Sequence, residues 1–281
     1  MVTRPSGANK RASSSGRTRL TYPTASEAGV PREASSSGPA VVPWGLRDVG
    51  VALVIIVAAV VLILGAAVAP VWAAFGEDST VGNLASALST VVAEVIAAVT
   101  IYRFILRPRG IDGWLLGLRP PLLDRSSGRR GFSWTWLARV VGACFLAIAI
   151  LVVYVEIVTV SGAGFLEPPE EQIPSELFSH WLVIVALGAA VLMAAPVFEE
   201  LFFRGFVFPA LDKSLGFLPA AIGSGLLFSL AHFDIGFVVP FGGIGVLFAY
   251  LYRRTESLYT SVLCHFLFNL VSFVALVARE T

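Results

Sequence analysis

The chain has 281 residues, of which 56% are hydrophobic and 14% charged, with a formal net charge of +1. That balance excludes an ordinary soluble domain of mixed composition and reads as a polytopic membrane protein, all-α and built from transmembrane helices, with no nucleic-acid partner expected. The two cysteines, Cys144 and Cys264, both lie in apolar segments, which excludes a disulfide framework or a cysteine metal pattern and leaves them as packing residues.

Residues 1–46 are rich in Ser, Gly, Pro and Arg without apolar periodicity, so a disordered basic tail is expected. A cleaved signal peptide is not expected, because the first apolar run starts too far in and is too long. Hydropathy then predicts about seven spans, at 49–74, 82–106, 134–160, 179–204, 215–232, 236–252 and 258–277, against a hydrocarbon core of about 30 Å. The loops alternate in charge. Arginines in the tail, six from Arg107 to Arg130, and Arg253 with Arg254 stand against Glu77 and Asp78, the acids from Glu167 to Glu176, and Asp234. By the positive-inside rule the N-terminus is cytoplasmic and the C-terminus outside. The scarcity of lysine beside arginine, with the excess of Ala and Val, points to a GC-rich bacterial genome, and a bacterial plasma membrane is the expected location.

The loop from Arg107 to Gly131 is expected to be interfacial, with Trp114, Trp134 and Trp136 at headgroup depth. Glu94 and Glu156 fall inside spans without a local partner and read as packing or rim residues. The expected organisation is thus a tail (1–46), N-terminal helices and loops (47–178) and a C-terminal helical core (179–281).

That core contains the stretch Pro196-Val-Phe-Glu-Glu-Leu-Phe-Phe-Arg-Gly205, three charges in an apolar run. Each lone charge at a bilayer centre costs roughly 2.5 to 3.5 kcal/mol, so three call for a use. Glu200 and Arg204 stand at i,i+4 with the acid N-terminal, which predicts an ion pair. Glu199 points about 100° away from Glu200 and has no partner in its own segment, so it must find one on another helix or act on water. Pro196, lacking an N–H, is expected to kink the helix. The bland alternative is an interfacial helix end with its acids reaching water.

Two of the three histidines follow. His232 ends Phe228-Ser-Leu-Ala-His232, with Phe228 as an apolar wall, and His265 shares a helix face with Asn269 at i,i+4. His180 reads as interfacial. A Glu beside two imidazoles can activate water in two ways. The carboxylate can serve as general base, with His and Asn binding the oxyanion. Alternatively, Glu199, His232 and His265 can hold a divalent metal such as zinc. The His-Glu-x-x-His signature of soluble zinc proteases is missing.

Together Glu199-Glu200-x-x-x-Arg204, Phe228-x-x-x-His232 and His265-x-x-x-Asn269 resemble the three motifs of the CAAX protease and bacteriocin-processing family (CPBP, or Abi) of intramembrane endopeptidases, over Trp181 to Ala278. The resemblance implies that Glu199 activates water and that Glu200 and Arg204 are companion positions. It also implies that His232 and His265 bind the reacting oxygen or a metal and that Asn269 completes the oxyanion site. The implied substrate is a protein or peptide, often membrane-attached. His232 falls at the outer end of its predicted span, so a shared site requires that span to be short, tilted or ended within the protein. Gly236 to Gly245 is expected to supply irregular backbone lining a cavity. Competing readings are a rhomboid-like serine site at Gly223-Ser224-Gly225 with His265, and a non-catalytic scaffold, immunity protein or transporter with a structural polar cluster.

Overall fold

The computed structural model describes residues 42–76, 79–168 and 181–280, all within the unit Pro39–Thr281. Most of the expected tail, the acids Glu77, Asp78, Glu170, Glu171 and Glu176, and His180 lie outside the described residues. Where the tail's last residues are described they are packed, with Val42 and Trp44 buried. Trp44 Nε1 donates to Phe206 O (2.9 Å), and Lys213 Nζ donates to Val42 O (3.0 Å).

Among the described residues the architecture is helical apart from one small hairpin. In chain order come α1 (Leu46–Phe75) and α2 (Thr80–Ile101, running on through a π turn, Tyr102–Leu106). The hairpin of β1 (Leu122–Asp124) and β2 (Arg129–Arg130) follows, then α3 (Trp134–Ser161). The site helix α4 begins at Trp181 and continues unbroken to Leu215. It is followed by α5 (Phe217–Leu230), α6 (Ile235–Thr255) and α7 (Leu258–Glu280). Ser79, Ser133 and Asp234 cap α2, α3 and α6, each accepting a backbone N–H of the first turn.

Among the described residues four helices, Leu46–Phe75, Trp134–Ser161, Ile235–Thr255 and Leu258–Arg279, are long and apolar enough to cross a membrane. Large apolar side chains such as Val54, Leu62, Phe145 and Val160 are exposed on them, the surface expected of lipid-facing helices. The protein is an all-α integral membrane protein. Helix α5 is shorter: its 14 residues span about 21 Å, less than a hydrocarbon core.

Prolines shape the helices without breaking them. Four π segments occur among the described residues, Leu64–Val68, Tyr102–Leu106, Ala190–Ala194 and Leu201–Val207. Each ends two residues before a proline: Pro70, Pro108, Pro196 and Pro209. A proline ring collides with the carbonyl four residues back, and widening the preceding turn to i→i+5 bonding moves that carbonyl away. The expected kink at Pro196 is therefore a π bulge inside a continuous α4.

The stretch Gly236 to Gly245 is also helical, contrary to the expected irregular backbone. Its glycines serve close packing of α5 on α6: a Cβ on Gly225 would lie 2.6 Å from Gly242 O, and one on Gly245 2.6 Å from Gly225 Cα. The basic loop is a strap across the α6–α7 turn. Arg119 Nε donates to Glu256 O (2.7 Å), Arg130 pairs with the Glu256 carboxylate, and Leu258 N donates to Gly117 O (2.8 Å). Trp136 lies in the core rather than at the interface, its Nε1 donating to Thr260 Oγ1 (3.0 Å); Trp114 and Trp134 are exposed.

Candidate active site

The site is assembled on α4 just past the Pro196 bulge. Glu200 and Arg204 have no exposed side-chain surface, and Arg204 Nη1 donates to Glu200 Oε1 at 2.8 Å, the i,i+4 pair anticipated from their spacing. Arg204 Nη2 donates to Gly245 O (3.1 Å) on α6. The guanidinium carbon lies 4.5 Å from the Phe228 ring centroid and 5.2 Å from that of Phe248. Aromatic faces on two helices thus replace water around the cation.

Helix α7 brings in His265, which is buried. Its Nδ1 lies 3.2 Å from Glu200 Oε1, and its Nε2 lies 3.9 Å from Glu199 Oε2. A carboxylate can only accept, so Nδ1 carries a proton toward Glu200 and Nε2 is turned to Glu199. The separation of 3.9 Å is too long for a direct hydrogen bond and is suited to one water bridging the two groups. Glu199 Oε2 is buried and accepts no hydrogen bond from the protein.

Asn269, one turn beyond His265, donates from Nδ2 to Val191 O at 2.9 Å. In the π register the donor for Val191 O would be residue 196, a proline. Asn269 thus supplies the hydrogen bond that Pro196 cannot, tying α7 to α4 about two turns before the glutamates.

His232 follows the last turn of α5. Its Nδ1 lies 2.9 Å from Phe228 O, and its ring packs edge-on against Phe228 (5.0 Å) and Phe241 (4.7 Å). Phe228 also packs edge-on against His265 (5.7 Å), so the two imidazoles touch one phenyl ring. The shortness of α5 is what ends His232 within the protein. Glu199, His232 and His265 do not form a shared ligand set: among the described residues no three His, Cys, Asp or Glu are placed to hold one ion. Among the described residues these donors do not fit a metal centre.

Ser224, the candidate for a serine site, is buried and donates its Oγ to Phe203 O (3.1 Å), not to His265. Sequence reasoning missed the Arg204 partner Gly245 and the sharing of Phe228. The signal for both was present in the small residues of α5 and α6, which permit close helix approach.

Residues 179–271 match a family model described as type II CAAX prenyl endopeptidase Rce1-like. Over this segment, about a third of the chain, the protein is similar to the CPBP family. Over 101 residues the chain is 29% identical to a Bacillus subtilis (strain 168) protein named "Putative membrane peptidase YdiL", covering 35% of this chain and 41% of that protein. Over 85 residues it is 33% identical to the "Membrane-embedded CAAX protease MroQ" of Staphylococcus aureus (strain USA300), covering 28% of this chain and 34% of that protein. The chain thus spans about two fifths of the length of these relatives or less. No solved structure matches the chain. The CPBP segment contains all six polar residues of the site, and α1, α2 and α3 lie outside it.

Proposed function

We propose that the CPBP domain is an intramembrane endopeptidase that hydrolyses a peptide bond with a water activated by Glu199. The observation that carries this reading is the buried, unpartnered Glu199 Oε2 standing 3.9 Å from His265 Nε2. A carboxylate without a donor in an apolar helix is costly to keep. Here it faces an imidazole across a gap that one water can fill.

In this reading Glu199 takes a proton from the water as its oxygen attacks the scissile carbonyl. Glu200 fixes the His265 ring through Nδ1, and Arg204 neutralises Glu200, so the imidazole is oriented from a locked pair. His265 Nε2 then faces the developing tetrahedral centre. Asn269 steadies the glutamate-bearing helix through Val191 O; serving the oxyanion as well would require that bond to open. His232 stands one ring away, packed edge-on against Phe228 and Phe241.

The substrate is a protein or peptide held at the membrane, and the chain sits in a bacterial plasma membrane with its N-terminus cytoplasmic. The test is Glu199→Ala and His265→Ala in the native host, followed for loss of the wild-type phenotype. Both are expected to lose it while still inserting into the membrane. Full activity in both would mean that the polar cluster is structural and that the protein is a scaffold or immunity protein.

A further inference from the structure

Glu94 lies on α2, outside the CPBP segment, and its surroundings do not suit a packing residue. Its Oε2 is buried and accepts no hydrogen bond, the same condition as Glu199 Oε2. Helix α2 packs against the Ala195–Glu200 stretch of α4, and Glu199 is the charge that acts on Glu94. Among the described residues no cation on the elements packed against α2 pairs with Glu94. On α4, Arg204 pairs with Glu200 at 2.8 Å, and Lys213 donates to Val42 O. On α1, Arg47 and Asp48 lie in the first turn, where Asp48 pairs with Arg109 at 2.7 Å.

Two carboxyl groups near one another in an apolar setting do not both ionise cheaply, and a pair in unlike environments divides into an acid and a base. The environments here are unlike. Glu199 is partly open, with 22% of its side chain exposed, and its Oε2 stands 3.9 Å from an imidazole nitrogen; Glu94 Oε2 is buried without a hydrogen-bond partner on a helix packed against α1 and α4.

We propose that Glu94 is the general acid of the site, holding the proton that the leaving amine takes up. This rests on the hydrolytic reading above. Glu199, as carboxylate, accepts a proton from water while the new C–O bond forms. The Glu94 carboxylic acid gives its proton to the amide nitrogen as the C–N bond breaks. The proton on Glu199 then passes to Glu94 and both groups are restored. The sum is one water and one peptide bond consumed, one acid and one amine released, with no oxidant or co-reactant.

The first test needs no substrate. Infrared spectra of the purified protein at neutral pH should show a protonated-carboxyl band that disappears in Glu94→Gln; a band unchanged by the substitution overturns the proposal. The second uses a peptide that the wild type cleaves in proteoliposomes and its ester counterpart, whose leaving group needs no proton. Glu94→Gln should cut amide turnover about 100-fold with KM little changed, and should largely spare the ester. Equal loss on both substrates, or no loss on the amide, overturns it. Glu199→Gln should lose both substrates; if it keeps both, the hydrolytic reading itself falls.

Discussion

Arg204 uses features that a lysine lacks. Two nitrogens reach acceptors on different helices, Glu200 Oε1 and Gly245 O, while the planar group lies over Phe228 and Phe248. A lysine amine could not span both acceptors or stack. Truncation to alanine would leave Glu200 charged and buried, a loss on the order of 3–5 kcal/mol. Thermal unfolding in detergent should therefore show a large drop for Arg204→Ala and incomplete recovery for Arg204→Lys. Glu199→Gln should not lower the midpoint and should raise it if anything, because no protein donor is lost and a costly unpartnered charge is removed. At this scale the sequence was legible: the i,i+4 spacing of Glu200 and Arg204 implied their contact, and the isolation of Glu199 followed from the 100° step. The role of Glu94 was not legible, since its partner is 105 positions away and only packing of α2 on α4 brings them together.

At the scale of elements, the recurring device is the proline preceded by a π turn, and α4 uses it twice, once before the glutamates and once across Arg204. Period-based reading assumes 3.6 residues per turn and so could anticipate a disturbance at Pro196 but not its form. The same reading took the glycines of 236–245 for irregular backbone. They are helical because their missing side chains admit α5, a tertiary reason invisible in one segment. The link between Asn269 and Pro196 gives a double-mutant test. Asn269→Ala alone leaves Val191 O without a donor and should cost about 1–3 kcal/mol. With Pro196→Ala the chain regains an N–H there, so the further cost of Asn269→Ala should fall to a few tenths of a kcal/mol. Additive losses in the unfolding free energies would detach Asn269 from this role.

For the whole molecule, composition and hydropathy sufficed for the class, an all-α membrane protein, because long apolar runs have few other homes. Depth was harder to read. His232 was expected at an outer boundary, and it is the 14-residue length of α5, stopped before it can cross, that ends it beside Phe228 and Phe241. Loop charges were read as topology markers, yet Arg119 and Arg130 are engaged by Glu256 and hold the α6–α7 turn from which His265 ascends. The central claim is that a carboxylate, and not a bound ion, activates the water. Its most direct measurement is peptide cleavage by the purified, lipid-reconstituted chain in excess chelator, with wild type and Glu199→Gln side by side. The account predicts undiminished wild-type cleavage and a loss of about 100-fold or more in the variant. Cleavage abolished by the chelator and restored by zinc would contradict it.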